Sequence, residues 1–144
     1  MAGQSIALSA DSTTLVLNGT TITDFVEGDY IVFAPTNAVT SRINGANGIT
    51  VIKKRMDGDI YDLTINVIKY SDSDVFLNSL VNESTPAVIS GSCKENHVKN
   101  GDKIVISWNI ENGSITTPPT DTRNNQDGNA AMTYVIQCNA TRVL

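Results

Sequence analysis

Apolar and polar residues alternate strictly along 62–67 of the strand-like run 60–70, with Leu63, Ile65 and Val67 on one side and Asp62, Thr64 and Asn66 on the other. A period of two marks a half-buried β-strand. The same alternation recurs over 103–109, where Ile104, Ile106 and Trp108, continued by Ile110, interleave with Lys103, Val105, Ser107 and Asn109. Further β-branched and aromatic stretches predict strands over Thr14–Leu17, 30–34, 49–55, 87–96 and 132–143. Seven of the ten glycines directly follow Asn or Asp: Gly19, Gly45, Gly48, Gly58, Gly101, Gly113 and Gly128. Asn-Gly and Asp-Gly tolerate the positive φ angles of two-residue hairpin turns, so these pairs are expected to punctuate an antiparallel arrangement. The strongest expected hairpin is 49–70, turning at Asp57-Gly58.

One segment changes period. Ser71 offers an N-cap, Asp72 and Asp74 first-turn acids, and Val75, Phe76, Leu77, Leu80 and Val81 an apolar stripe. A single helix over 72–82 follows, ended before Pro86, with the stripe covering an open end of the sheets. Three stretches read as loops: a short acidic one at 24–29, and two long polar ones at 35–47 and 116–130. Loops of that length in a compact domain are commonly functional. Neither offers a nucleophile or base, so a contact role is expected of them.

At 144 residues and 40% hydrophobic, the chain suits one domain (1–144) with a real core. Fifteen Asp and Glu against ten Lys and Arg give a net charge of −5. That balance disfavours a duplex-DNA binder or a protein docking on anionic lipid. Met1–Ser5 show no basic or apolar run, so no secretory signal is expected, and no apolar run is long enough for a membrane anchor.

The candidate chemistry is thin. Cys93 and Cys138 read as small core residues and His97, beside the Asn100-Gly101 turn, as polar surface. Asp57, Asp59 and Asp62 face Lys53, Lys54 and Arg55 across the expected hairpin, which favours ion pairs over a cation site. Aligned on Gly128, a calcium loop would need ligands where Arg123 and Tyr134 stand. Four Asn-x-Ser/Thr sequons are chance matches in a chain rich in those residues. No phosphate-binding loop or catalytic motif is present. The expectation is a non-enzymatic protein without cofactor or metal.

The run Ile-Thr-Val-Ile-Lys-Lys-Arg-Met-Asp-Gly-Asp-Ile-Tyr-Asp-Leu-Thr-Ile-Asn-Val (49–67) resembles the central hairpin of tail tube proteins of contractile-tailed bacteriophages. Ser71-Asp72-Ser73-Asp74-Val75-Phe76-Leu77-Asn78 resembles their helix. Gly113-Ser114-Ile115-Thr116-Thr117-Pro118 and Asn124-Asn125-Gln126-Asp127-Gly128-Asn129-Ala130 resemble their late loop. The likeness covers about two thirds of the chain and extends to related pyocin and type VI secretion tubes. It implies a mainly β fold, an antiparallel β-sandwich or partial barrel with one short α-helix, whose strands complete an inter-subunit β-barrel in a hexameric ring. Stacked rings would form a hollow tube in a virion tail assembled in the host cytoplasm. Its implied partners are further copies of itself, a tail sheath protein outside, tape-measure protein and transiting DNA inside, and tail terminator and baseplate proteins at the ends.

On that reading the lumen would be lined by Asp62, Thr64, Asn66, Lys103, Ser107 and Asn109, with Lys103 needing an acidic neighbour such as Asp62. Ring-to-ring contacts would come from Thr36, Arg42, Asn44 and Asn47 in the first long loop, and from Pro118, Asp121, Arg123, Asn125 and Asp127 in the second. The rival reading is a β-sandwich binding module of a baseplate or receptor-binding apparatus. It would call for more exposed aromatics than this chain has, since its one tryptophan alternates with isoleucines.

Overall fold

The computed structural model describes residues 3–8, 12–123, 125 and 131–144. Its elements are β1 (Ile6–Ala7), β2 (Thr14–Leu17), β3 (Thr20–Ile22), β4 (Ile31–Pro35), β5 (Thr40–Asn44), β6 (Thr50–Lys54), β7 (Ile60–Ile68), α1 (Asp72–Val81), β8 (Ile89–Lys99), β9 (Asp102–Thr117) and β10 (Ala131–Val143). One antiparallel sheet runs β3-β2-β8-β9-β10-β7-β4, with β1 extending the β2 edge of β8. Strands β5 and β6 form a separate two-stranded hairpin.

The sheet curls over itself. Phe33 on the edge strand β4 stacks on Trp108 of β9 at 4.3 Å with the rings 5° apart, although β10 and β7 lie between those strands in the sheet. Tyr61 meets Trp108 edge-on at 5.1 Å. The enclosed face carries Leu15, Leu17, Leu63, Ile65, Val67, Ile89, Ile110, Tyr134 and Ile136, all buried. This is the apolar face that the alternation of β7 predicts, and among the described strands the sheet does not close into a barrel.

Helix α1 caps the open side. Ser71 is its N-cap, accepting from the Asp74 N–H at 3.3 Å, and Leu77 and Leu80 are its buried apolar residues. The Ser73 hydroxyl accepts from the Thr23 N–H at 2.8 Å, joining the helix start to the end of β3. Val75, predicted to lie on the buried stripe, is exposed instead, because Ser73 and Asp74 occupy that face in the first turn.

Three sequence expectations need correction. The 49–70 hairpin does not form: β6 pairs with β5, and β7 is held between β10 and β4. Asp57-Gly58 lies in the crossover between the two sheets, where a Cβ on Gly58 would press on the Val39 backbone. The polar loop at 35–47 contains β5, whose residues are all exposed, so no burial pattern announced it. Asn112-Gly113 is not a turn but a bulge inside β9, with Asn112 at φ 53° and the register against β10 shifting beside it. Asn18-Gly19 and Asn100-Gly101 do turn hairpins, all four residues having the positive φ that such loops require.

Candidate assembly surfaces

The face of the sheet turned away from the core is the largest patterned surface. Along β7 it presents Asp62, Thr64 and Asn66, which pair across to Gln137, Val135 and Thr133 of β10. Gln137 Nε2 donates to Asp62 Oδ1 at 3.4 Å, and Thr133 Oγ1 donates to Asn66 Oδ1 at 2.5 Å. Along β9 the same face presents Lys103, Ser107 and Asn109; Asn109 lies opposite Thr141 and Ser107 opposite Val143 of β10. All six residues expected to line a lumen therefore share one face, with β10 between the two groups. Hydroxyl and amide side chains dominate it because the pleat sends every second residue there, and the core takes the rest. Lys103 stands opposite Val98, far along the strand from Asp62, so Asp62 is not its charge partner.

The β5–β6 hairpin projects from the body as an arm. All ten of its strand residues are exposed, Ile43 at 59% and Ile52 at 64%, and Met56 beyond it is fully exposed. Its base is rigid. The Arg55 N–H donates to the Val39 carbonyl at 2.8 Å, and Arg55 grips Asp57 through Nε at 3.0 Å and Nη2 at 2.9 Å. That guanidinium holds the Asp57 carboxyl below its usual range. Of the expected contact residues, Arg42 and Asn44 sit in β5 rather than in a loop, bonded to each other at 3.1 Å. Thr36 is at the base, bonding the Ile60 carbonyl through its N–H (3.1 Å) and hydroxyl (3.0 Å), and Asn47 is in the turn at the tip. A cleft of about 640 Å³ runs beside the base between Val39, Met56, Tyr61 and Arg142.

The second contact segment is clamped to the end of β7. Lys69 Nζ lies 2.6 Å from Asp121 Oδ1 and donates to the Thr122 carbonyl at 3.4 Å, while Arg123 reaches Asp121 at 3.3 Å. The hydrogen bond from Lys69, helped by Arg123, lowers the Asp121 pKa, and the same contact raises that of Lys69. Pro118, Asp121, Arg123 and Asn125 are exposed, whereas Asp127 lies outside the described residues. The two contact regions are thus separated: the arm leaves β7 at Ile60, and the clamped segment sits beyond Ile68.

His97, expected on the surface, is buried, with Nε2 2.7 Å from Glu95 Oε2. Both lie on the core-facing side of β8 with Cys93, a placement visible only once the register with β9 is known. Cys93 and Cys138 are buried free thiols whose pKa values burial pushes up to about 11, so neither is a reactive thiolate at neutral pH. Among the described residues no group of His, Cys, Asp and Glu is placed to hold a metal ion, and no helix is long and apolar enough to cross a membrane.

No protein-family model matches the chain, and no curated protein matches it in sequence. Among solved structures it is similar to a chain of the sheath–tube complex of an extracellular contractile injection system, PVC, in the extended state. The TM-score is 0.67 at 7% sequence identity, over 94% of this chain and 90% of that one. The curled antiparallel sheet with one capping helix is therefore a fold built into a contractile injection assembly.

Proposed function

We propose that this protein is a structural tube subunit of a contractile tail or a related injection device, not an enzyme. The observation that carries this reading is the pairing of a contractile-system fold with a broad polar sheet face that no element among the described residues covers. A wall with one packed face and one wet face suits a conduit, and a face made mostly of uncharged hydroxyls and amides offers passing polymer little to bind. Six subunits would form a ring whose sheets join into one inner barrel, removing the free edges at β3 and β4. Rings would stack head to tail through the arm and the clamped segment, which lie at opposite ends as stacking requires. Tape-measure protein and then DNA would pass inside, a sheath would surround the tube, and terminator and baseplate proteins would close its ends.

The binding-module reading is less well supported. Trp108, the aromatic most useful for holding a sugar, is stacked on Phe33 and met edge-on by Tyr61. Negative-stain microscopy and light scattering on one purified sample test the proposal. Hollow tubes or rings of uniform width are expected. A stable trimer, or monomers that never polymerise at high concentration, would overturn it.

A further inference from the structure

Charge is distributed very unevenly along this chain. From Tyr30 to Met56 there is no Asp or Glu, yet Arg42, Lys53, Lys54 and Arg55, four of the ten cations of a chain with net charge −5, lie in or next to the arm. Arg55 is matched by Asp57; Arg42, Lys53 and Lys54 have no acidic partner among the described residues. The opposite imbalance occurs at the other end of β7. There the connection from β3 to β4 carries exposed Asp24, Glu27 and Asp29, tied to the strand end by Ile68 N–H to Asp24 carbonyl at 2.8 Å and Val26 N–H to Asn66 carbonyl at 3.3 Å. Asp72 opens the helix beside them. The cations next to that end, Lys69 and Arg123, are both engaged by Asp121. None of Asp24, Glu27 and Asp29 forms an ion pair among the described residues.

From Ile60, where the arm leaves β7, to Asn66, where the acidic connection first bonds to it, is roughly 20 Å at about 3.3 Å per residue. That exceeds the Debye length of about 8 Å at physiological salt, so the two ends of one molecule cannot neutralise each other. A second copy set head to tail can. The arm also needs a partner for its own stability, since an isolated two-stranded hairpin is marginal in water. Ile43 and Val51 lie opposite each other on one arm face, and Ile52 is exposed on the other.

We propose that the basic β5–β6 arm docks on a second copy of this chain, at the acidic Asp24–Glu27–Asp29 connection of that copy. This rests on the tube reading and specifies its stacking contact. Unlike patches at opposite ends make a heterologous interface, which propagates as an open filament rather than closing as a dimer. Charge sets the direction of addition, because arm against arm and acidic end against acidic end repel.

The test uses two full-length variants, Lys53→Glu/Lys54→Glu and Glu27→Lys/Asp29→Lys, with filament formation followed by sedimentation and microscopy. All four positions are exposed, so the unfolding temperatures of both variants should match that of the unaltered protein. Each variant alone should polymerise at least about tenfold less than the unaltered protein, and an equal mixture should recover polymerisation, since each arm then meets a complementary end. Polymerisation of the unaltered protein should weaken as salt rises from low to high ionic strength. Normal polymerisation by either variant alone, or no recovery in the mixture, would overturn the charge-directed contact while leaving the tube reading standing. Failure of the unaltered protein to polymerise under any condition would instead remove the tube reading, and this contact with it.

Discussion

Tyr134 and Asp74 form a buried polar link between the sheet and the helix, and its removal has a calculable cost. Tyr134 is 1% exposed and Asp74 7%. The phenol donates to Asp74 Oδ1 at 2.6 Å, and Oδ2 of the same carboxylate accepts from the Tyr70 N–H at 2.9 Å. Tyr134→Phe keeps the packed ring but takes one of two donors from a buried carboxylate. A hydrogen bond to a charged group is worth about 1.5–3 kcal/mol, so a loss of about 2 kcal/mol is expected. For a domain of this size that lowers Tm by about 8 °C, near 4 °C per kcal/mol. In urea, with m of about 2 kcal/mol/M, the midpoint falls by about 1 M at unchanged m.

The pH dependence has a definite sign. Burial, reinforced by the hydrogen bond to Asp74 and its charge, pushes the Tyr134 phenol far above its ordinary value. A raised folded pKa means the contribution is whole below the unfolded value of about 10 and is lost as pH climbs above it. The unaltered protein should therefore lose stability above pH ~10 more steeply than Tyr134→Phe. The assay is urea unfolding below the concentration for self-association, with Asp74→Asn and the double variant completing a cycle. A Tyr134→Phe cost under about 0.5 kcal/mol, or a coupling energy that small, would refute the claim that the two side chains act as one charge-assisted unit.

Two further outcomes follow from other parts of the molecule. Gly91→Ala would drive a Cβ into the Val16 carbonyl oxygen, a backbone atom on the paired strand β2, so the strands must part. The expected cost is about 3 kcal/mol or more, read by chemical unfolding, and a cost under about 1 kcal/mol would show that β2 can shift freely. The triple variant Asp62→Lys/Thr64→Lys/Asn66→Lys places cations on the polar face and should slow DNA ejection from particles while tubes still form. Loss of tubes would mean that this face is an interface rather than the lumen wall.

Much of the architecture was legible because it depends on local periodicity. The alternation of Leu63, Ile65 and Val67 with Asp62, Thr64 and Asn66 names the buried and wet faces of β7 before any partner strand is known. Ser71 and the spacing of Leu77 and Leu80 place α1 to within a residue. The polar face followed by the same logic, since a period of two assigns every second residue to one side whatever lies next to it. What stayed hidden is what periodicity does not encode, namely the identity of a strand's neighbours.

Strand β6 stands next to β7 in sequence and has hairpin composition, yet β7 buries its apolar face best between β10 and β4, leaving β6 to pair outward with β5. An arm exposed on both sides has no burial period to reveal it. Residues around Arg42 therefore read as loop, and Asn112-Gly113 read as a turn where β9 only bulges. The burial of His97 likewise depended on its register against Ile104.

The sequence by itself determined the helix, the two-faced strands and the unequal spread of charge, because each is written in residues close together along the chain. Only the tertiary structure decided that the basic and acidic segments stand at opposite ends of one strand. That separation is set by pairings among residues far apart in sequence, which form where burial is greatest and not where the chain happens to pass next.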